Sequence, residues 1–420
     1  MSMGYSCSKD KQITETDVEI FSPLLNELLF LPDTIMVEFS VSQNKPIEYI
    51  RISIDNGNHV PLTKHIFINP TNNTYTGKID LLMDKLSEAT TLPPYYIHIV
   101  VGDFSDVRHY YHEIKLQNNE LKYTGFVTIE EKPINLVEIK FHNTDYERYS
   151  LSELSGIYSG SAKSDFSEQI YISTQVPELV TAIDIHTGEQ LWHKEPQLPY
   201  PEFTGLYSGD NKLYLSTAIG RIIGLSENEG STIFTTPVLK DTIPRNIIST
   251  ENYVFADFTL RTSNKKVWTS FYKPTGIKFL WYPTDYNTIK IFPQIGNKAI
   301  IFTNKDGLGR IILFDIESNI IKDLITIDNH KIDNVCELES GQFLITDKTS
   351  IYSFNLLHQT DSWVYETTDS IRDIDFEEKT GSIFIATSNK VEVVGYPNYS
   401  NIKDLSGFNN LKSIELLYTD

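Results

Sequence analysis

The sequence predicts an all-β protein in two parts, an Ig-like β-sandwich followed by a β-propeller. Three observations predict it. Apolar residues alternate with period two over the first hundred or so positions, a repeat averaging 42.6 residues fills the remainder, and a second marker drifts in step with the first. The parts are residues 1–12, a flexible tether; 13–120, the Ig-like or fibronectin-III-like sandwich; and 123–420, the propeller.

In the sandwich, Ile35, Val37, Phe39 and Val41 lie on one face of the stretch 34–42. Ile50, Ile52 and Ile54 repeat the pattern, with Arg51 and Ser53 outward. Asp55-Asn56-Gly57-Asn58 then supplies turn residues that tolerate positive φ. Ile66 and Ile68 make a short strand, and Tyr95–Val101 and Tyr110–Leu116 read as two late strands. Leu81–Leu86 reads as a single helical turn. Strands of this length, separated by turn signals over about 100 residues, are the pattern of a sandwich, although the Cys…Trp…Cys hallmark is absent.

In the propeller, hydrophobic triplets suited to a buried inner strand recur at Ile170-Tyr171-Ile172, Leu213-Tyr214-Leu215, Val254-Phe255-Ala256, Ile300-Ile301-Phe302, Phe343-Leu344-Ile345 and Ile383-Phe384-Ile385. Their centres are 43, 41, 46, 43 and 40 residues apart. Trp192, Phe234, Trp281, Leu324, Trp363 and Leu405 mark a later strand, with gaps of 42, 47, 43, 39 and 42. Both series span 213 residues over five intervals. Four short strands per 40–50 residues is the unit of a propeller blade. A helical solenoid is excluded, because no window sustains a 3.6 period and β-branched and aromatic residues dominate. The 298 residues from 123 onward hold seven such units, with six or eight blades as alternatives. Six units are complete. The seventh must combine Leu411–Leu417 with Gly125–Glu130, Leu136–Phe141 and Arg148–Leu154, which leaves no open sheet edge.

The best unit contains Ala182, Asp184, Thr187, Gly188 and Trp192 in the spacing Ala-x-Asp-x-x-Thr-Gly-x-x-x-Trp. This resembles the repeat of the quinoprotein-type (PQQ-repeat) propellers. Thr187-Gly188 makes the turn between third and fourth strands, and Trp192 buries its ring between blades. The quinone-dependent members have eight blades and a vicinal Cys-Cys pair; this chain has no adjacent cysteines, so no cofactor, PQQ included, is expected. Non-enzymatic relatives in that group include bacterial envelope lipoproteins. Ser6-Cys7-Ser8-Lys9-Asp10-Lys11 resembles the site at which such lipoproteins acquire lipid on cysteine, which makes Cys7 the candidate attachment residue. Tyr5 stands where a small residue is usual, and the alternative reading of Cys7 is an ordinary free thiol.

Composition narrows function. A formal charge of −20 excludes a nucleic-acid binder, which needs a cationic face. Cys7 and Cys336 cannot form a disulfide framework, and Cys336 falls in an inner strand as packing. No segment reaches the roughly 20 apolar residues of a membrane span, so a membrane enters only through a lipid anchor. No P-loop, zinc-spaced Cys pair or nucleophile elbow occurs; Tyr158-Ser159-Gly160 and Tyr207-Ser208-Gly209 read as equivalent turns of successive blades. Asp373, Asp375 and Glu377 share one strand face and are weak calcium candidates, against the plainer reading of a solvated acidic face. His186 and His193 read as loop and strand-edge residues.

The expectation is a non-catalytic, monomeric protein of the bacterial cell envelope, lipid-anchored, whose propeller presents one face to a protein or glycan ligand. The alternatives are a propeller enzyme, a lactonase-like hydrolase or lyase with a metal or acid/base group in the central channel, and a cytoplasmic scaffold, since no signal peptide stands in the sequence.

Overall fold

The computed structural model describes residues 16–31, 33–83, 86, 93–103, 106–118, 122–164, 168–196, 203–209, 212–294, 296–327, 330–339 and 341–419. Among them every regular element is a β-strand. Cys7 and the tether lie outside the described residues. The chain divides into two compact units, Met1–Glu120 and Leu121–Asp420.

The first unit is a two-layer β-sandwich. One sheet joins Thr16–Ser22, Asp33–Gln43 and Thr74–Met83; the other orders Leu28–Leu31, Val107–Asn118, Tyr95–Gly102, Tyr49–Asp55 and Ile66–Ile68 side by side. Both sheets turn their apolar alternates into one core, in which Val37 and Phe39 meet Ile52, Ile54, Ile97 and Ile99. The helical turn expected at Leu81–Leu86 is not formed over Leu81–Met83. That stretch continues the strand, pairing Leu81 with Ile35 and Met83 with Asp33. The reason is period two: Leu81 and Met83 are buried while Leu82 is 72% exposed.

Among the described residues the second unit holds seven four-stranded sheets. Numbered in chain order, sheets one to six begin at Ile157, Phe203, Thr242, Asn287, Asn334 and Asp373, and each is a meander of four consecutive antiparallel strands. The seventh is composite. Leu411–Thr419 pairs with Lys122–Lys132, followed by Leu136–Asn143 and Arg148–Ser155, so the two ends of the unit share one sheet. The first strands of consecutive sheets neighbour each other in a closed cycle, from Ile157–Lys163 round to Leu411–Thr419 and back.

The hydrophobic clusters close in the same cycle, because a buried strand points alternate side chains at its two neighbours. Tyr171 packs with Leu213 and Leu215 of the next sheet, while Ile170 and Ile172 pack with Ile129 and Ile139 of the seventh. Phe302 meets Phe343 and Phe354, and Phe384 meets Phe126 and Leu416. This cyclic face-to-face packing of meander sheets is a β-propeller. The triplets occupy the second strand of each sheet, not the innermost; a more polar strand precedes each of them.

Turns between third and fourth strands repeat one device. Position 188, 230, 276, 319, 359 or 399 adopts a left-handed conformation, with φ from 54° to 73°. The residue is glycine in the first three and Asn, Gln and Tyr in the others. At Gly188 no other residue fits, since a Cβ would stand 1.9 Å from the Leu151 carbonyl oxygen of the seventh sheet.

Candidate functional site

Six of the seven first strands wall a central cavity of about 900 Å³. First strands have one edge on this space, so their side chains are mixed in polarity: Ile157–Lys163 reads Ile-Tyr-Ser-Gly-Ser-Ala-Lys. Polar side chains on the second strands hold irregularities in the first. Ser173 Oγ donates to the Gly160 carbonyl and Ser216 Oγ to the Gly205 carbonyl, both at 3.2 Å, and the Asp257 carboxylate accepts from the Asn246 backbone N–H at 2.7 Å. Asp257 is buried, and desolvation pushes its carboxyl up to about 6 against the pull of those hydrogen bonds. These contacts revise the equivalence expected of Tyr158-Ser159-Gly160. Both tripeptides of that pair lie within strands, and the counterpart of Ser159, which bonds Ser173 at 2.8 Å, is Thr204, which bonds Ser216 at 2.8 Å.

The chemistry concentrates where sheets six, seven and one meet. Glu415 accepts from Ser161 Oγ at 2.6 Å, Ser161 shares a hydrogen bond with the Tyr158 hydroxyl at 2.9 Å, and it reaches Ser413 Oγ at 3.4 Å. Ser413 donates to Asp373 at 2.8 Å, and the same carboxylate oxygen takes the Ile414 N–H at 3.0 Å. A hydroxyl chain thus links two carboxylates. Desolvation raises the Glu415 carboxyl to about 7, reinforced by the negative charge of Asp373 and opposed by the Ser161 hydrogen bond and Lys163. Asp373 is also raised, first by desolvation, with the Ile414 N–H, Lys290 and Ser413 working the other way.

The three acidic residues singled out in the sequence do not converge. Asp373 and Asp375 line the cavity, whereas Glu377 is buried and caps its own hairpin, accepting from Lys379 N, Thr380 N and Thr380 Oγ1 at 3.0, 2.6 and 2.5 Å. The solvated acidic face therefore does not form. Among the described residues no group of three His, Cys, Asp or Glu side chains is arranged to hold a metal.

The repeat motif is structural in its contacts. Asp184 accepts from His186 N, Thr187 N and Thr187 Oγ1, and Ala182 is buried. Trp192 Nε1 donates to the Glu227 carbonyl of sheet two at 2.7 Å, with its ring against Gly230. Its counterparts Trp281 and Trp363 are exposed. His186 meets Glu168 at 3.0 Å on the surface, and His193 lies in the fourth strand of sheet one. Cys336 is buried in the first strand of sheet five, and desolvation pushes its thiol up.

The sandwich unit carries a second polar cluster that sequence reading passed over. Asp55 is buried, accepts from Ser53 Oγ at 2.7 Å, and meets His98 Nδ1 at 2.6 Å; His98 Nε2 lies 2.9 Å from His109 Nδ1. Tyr111 stacks on His98 with ring centres 4.4 Å apart. Desolvation lowers the His98 pKa, although Asp55 opposes it.

Fold and cavity together define a class: a β-propeller with a polar central cavity of mixed charge. No family model matches the chain, and no curated protein matches it in sequence. Among solved structures it is similar to BamB from Moraxella catarrhalis, with 12% identity over 71% of this chain and 88% of that one at a TM-score of 0.44. It is also similar to the β-propeller domain of Cps50 (Swd1) from Myceliophteria thermophila, with 8% identity over 64% of this chain and 95% of that one at a TM-score of 0.49.

Proposed function

We propose that the chain is a non-catalytic binding or scaffolding protein, a seven-bladed propeller preceded by an Ig-like domain, that receives a protein or glycan ligand at the central cavity. The observation that carries this reading is the cavity wall. Six strands from six sheets supply hydroxyls, carboxylates and amines around a space of drug-molecule size. The hydroxyls Ser161 and Ser413 are engaged by carboxylates, and the chain Tyr158–Ser161–Glu415 contains no histidine base of the kind that activates a serine nucleophile. Such a wall recognises polar groups by hydrogen bonds from rigid strands. The test is binding of envelope glycans and envelope proteins to the purified chain, compared with the Asp375→Asn and Lys290→Met variants. Affinity that both substitutions reduce supports the reading, and affinity untouched by either contradicts it.

A specific observation favours a second reading, an acid/base enzyme of the hydrolase or lyase kind. Glu415 at about 7 beside Asp373 is a carboxyl poised to exchange a proton near neutrality. Turnover of a lactone or uronate panel that Glu415→Gln abolishes would establish it. The envelope location, with lipid on Cys7, rests on the Ser6-Cys7-Ser8-Lys9 context. Metabolic labelling with a lipid precursor, compared with Cys7→Ala, tests it; absence of Cys7-dependent label refutes it.

A further inference from the structure

We infer that the central cavity takes a zwitterion, a free amino acid or short peptide whose ammonium and carboxylate are both recognised. This rests on reading the cavity as a binding site and names the class of ligand.

The argument is the placement of charge. Arg245 and Lys290 enter the cavity from sheets three and four, which adjoin. Asp373 and Asp375 enter from sheet six and Glu415 from sheet seven, which also adjoin. Sheet five separates the two arcs on one side, and sheets one and two separate them on the other, so the arcs stand nearly opposite each other in the cycle. Lys163 of sheet one is the remaining charged group of the wall, and its ammonium sits over the Tyr418 ring at 5.1 Å.

None of these six groups forms an ion pair within 4.0 Å among the described residues, although opposite charges share one cavity. The Arg245 guanidinium and the Lys290 ammonium have no hydrogen-bond partner there either; the Lys290 ammonium lies 5.5 Å from the Phe292 ring, and its charge acts on the Asp373 carboxyl. On the acidic side, Asp375 Oδ1 accepts its neighbouring Phe376 N–H at 2.9 Å and Glu415 Oε1 accepts Ser161. The second oxygens of both carboxylates accept no hydrogen bond among the described residues.

Groups of opposite charge on facing walls, not joined in ion pairs among the described residues, set up a field across the space between them. A monopole gains at one wall and loses at the other, whereas a ligand with separated charges gains at both. Arg245 supplies the planar donor pair that suits a carboxylate, and Lys290 supplies a point charge beside it. The oxygens of Asp375 and Glu415 suit the three donors of an ammonium. A neutral glycan would leave both arcs unanswered.

The experiment is titration calorimetry of the full chain at low ionic strength with the common free amino acids and the dipeptide Ala-Ala. N-acetyl-Ala-Ala, Ala-Ala-amide and a neutral disaccharide serve as controls. Expected is binding by a zwitterionic probe that capping at either end weakens at least tenfold. Lys290→Met should weaken the penalty for amidation, with Arg245 still in place, and Asp375→Asn should weaken the penalty for acetylation, with Glu415 still in place. Both side chains face the cavity, and unchanged tryptophan emission will show that the variants fold. Binding of the disaccharide or an envelope protein, lost in these variants while no zwitterion binds, overturns this inference and leaves the binding reading standing. No probe of any class sensitive to the substitutions overturns both.

Discussion

Replacing Glu415 by Gln should remove a pH dependence of stability, and its size can be worked from the structure. The carboxyl sits at about 7 in the folded chain and near 4.5 when solvated. A raised pKa means that the folded state holds the proton more tightly than the unfolded state. The stabilisation is therefore fully present below about 4.5 and is lost as pH rises through about 7. At about 1.4 kcal/mol per unit, the loss reaches about 3 kcal/mol by pH 8, less whatever cavity water screens. Glutamine keeps the acceptor for Ser161 and cannot ionise. Urea denaturation followed by tryptophan emission is the assay, because all four tryptophans, at 192, 268, 281 and 363, lie in the unit Leu121–Asp420. The difference between wild type and Glu415→Gln, taken at pH 5 and pH 8, cancels the other acidic residues. The variant should gain about 3 kcal/mol relative to wild type over that interval. Parallel stability curves would refute the claim that Glu415 is held in a desolvated site.

Gly188→Ala should cost about 3 kcal/mol or more, combining the left-handed backbone with the clash against Leu151, whereas Gly296→Ala, with φ 72° and no atom within 4 Å, should cost about 1 kcal/mol; thermal denaturation of the two variants decides it. Asp55→Ala strips the buried His98 and Ser53 of their partner and should weaken the sandwich unit by about 3 kcal/mol, seen as faster amide exchange in Tyr49–Asp55 and Tyr95–Gly102. Cys336, buried with its thiol pushed up, should resist alkylation in the native chain at neutral pH and react only after denaturant is added, as mass spectrometry of labelled peptides will show.

The fold was legible where burial is two-sided. Second strands lie between two sheets, so triplets such as Ile300-Ile301-Phe302 are apolar on both faces and stand out at their period. First strands were not legible, because one edge borders the cavity and polar residues are tolerated there. Arg245, Lys290 and Glu415 belong to no motif, and only the cyclic order of sheets brings them to one space. Asp373 and Asp375 drew notice as part of an acidic run, but nothing in the run separates the two that face the cavity from Glu377, which caps a turn. The repeat turn was visible at Gly188, Gly230 and Gly276 and hidden at Asn319, Gln359 and Tyr399, which adopt the same left-handed backbone without glycine. In the sandwich unit, the alternation that continues Thr74–Met83 to its end was masked by the adjacent apolar residues Leu81 and Leu82.

The central claim, that ligand is received inside the ring, is tested most directly by hydrogen–deuterium exchange of the full chain with and without a soluble envelope fraction of peptides and glycans. The account predicts slowed exchange concentrated in the first strands Ile157–Lys163, Asp373–Glu377 and Leu411–Thr419. Protection confined to outer fourth strands such as Lys278–Thr284 and Thr360–Glu366, with these first strands unchanged, would contradict it.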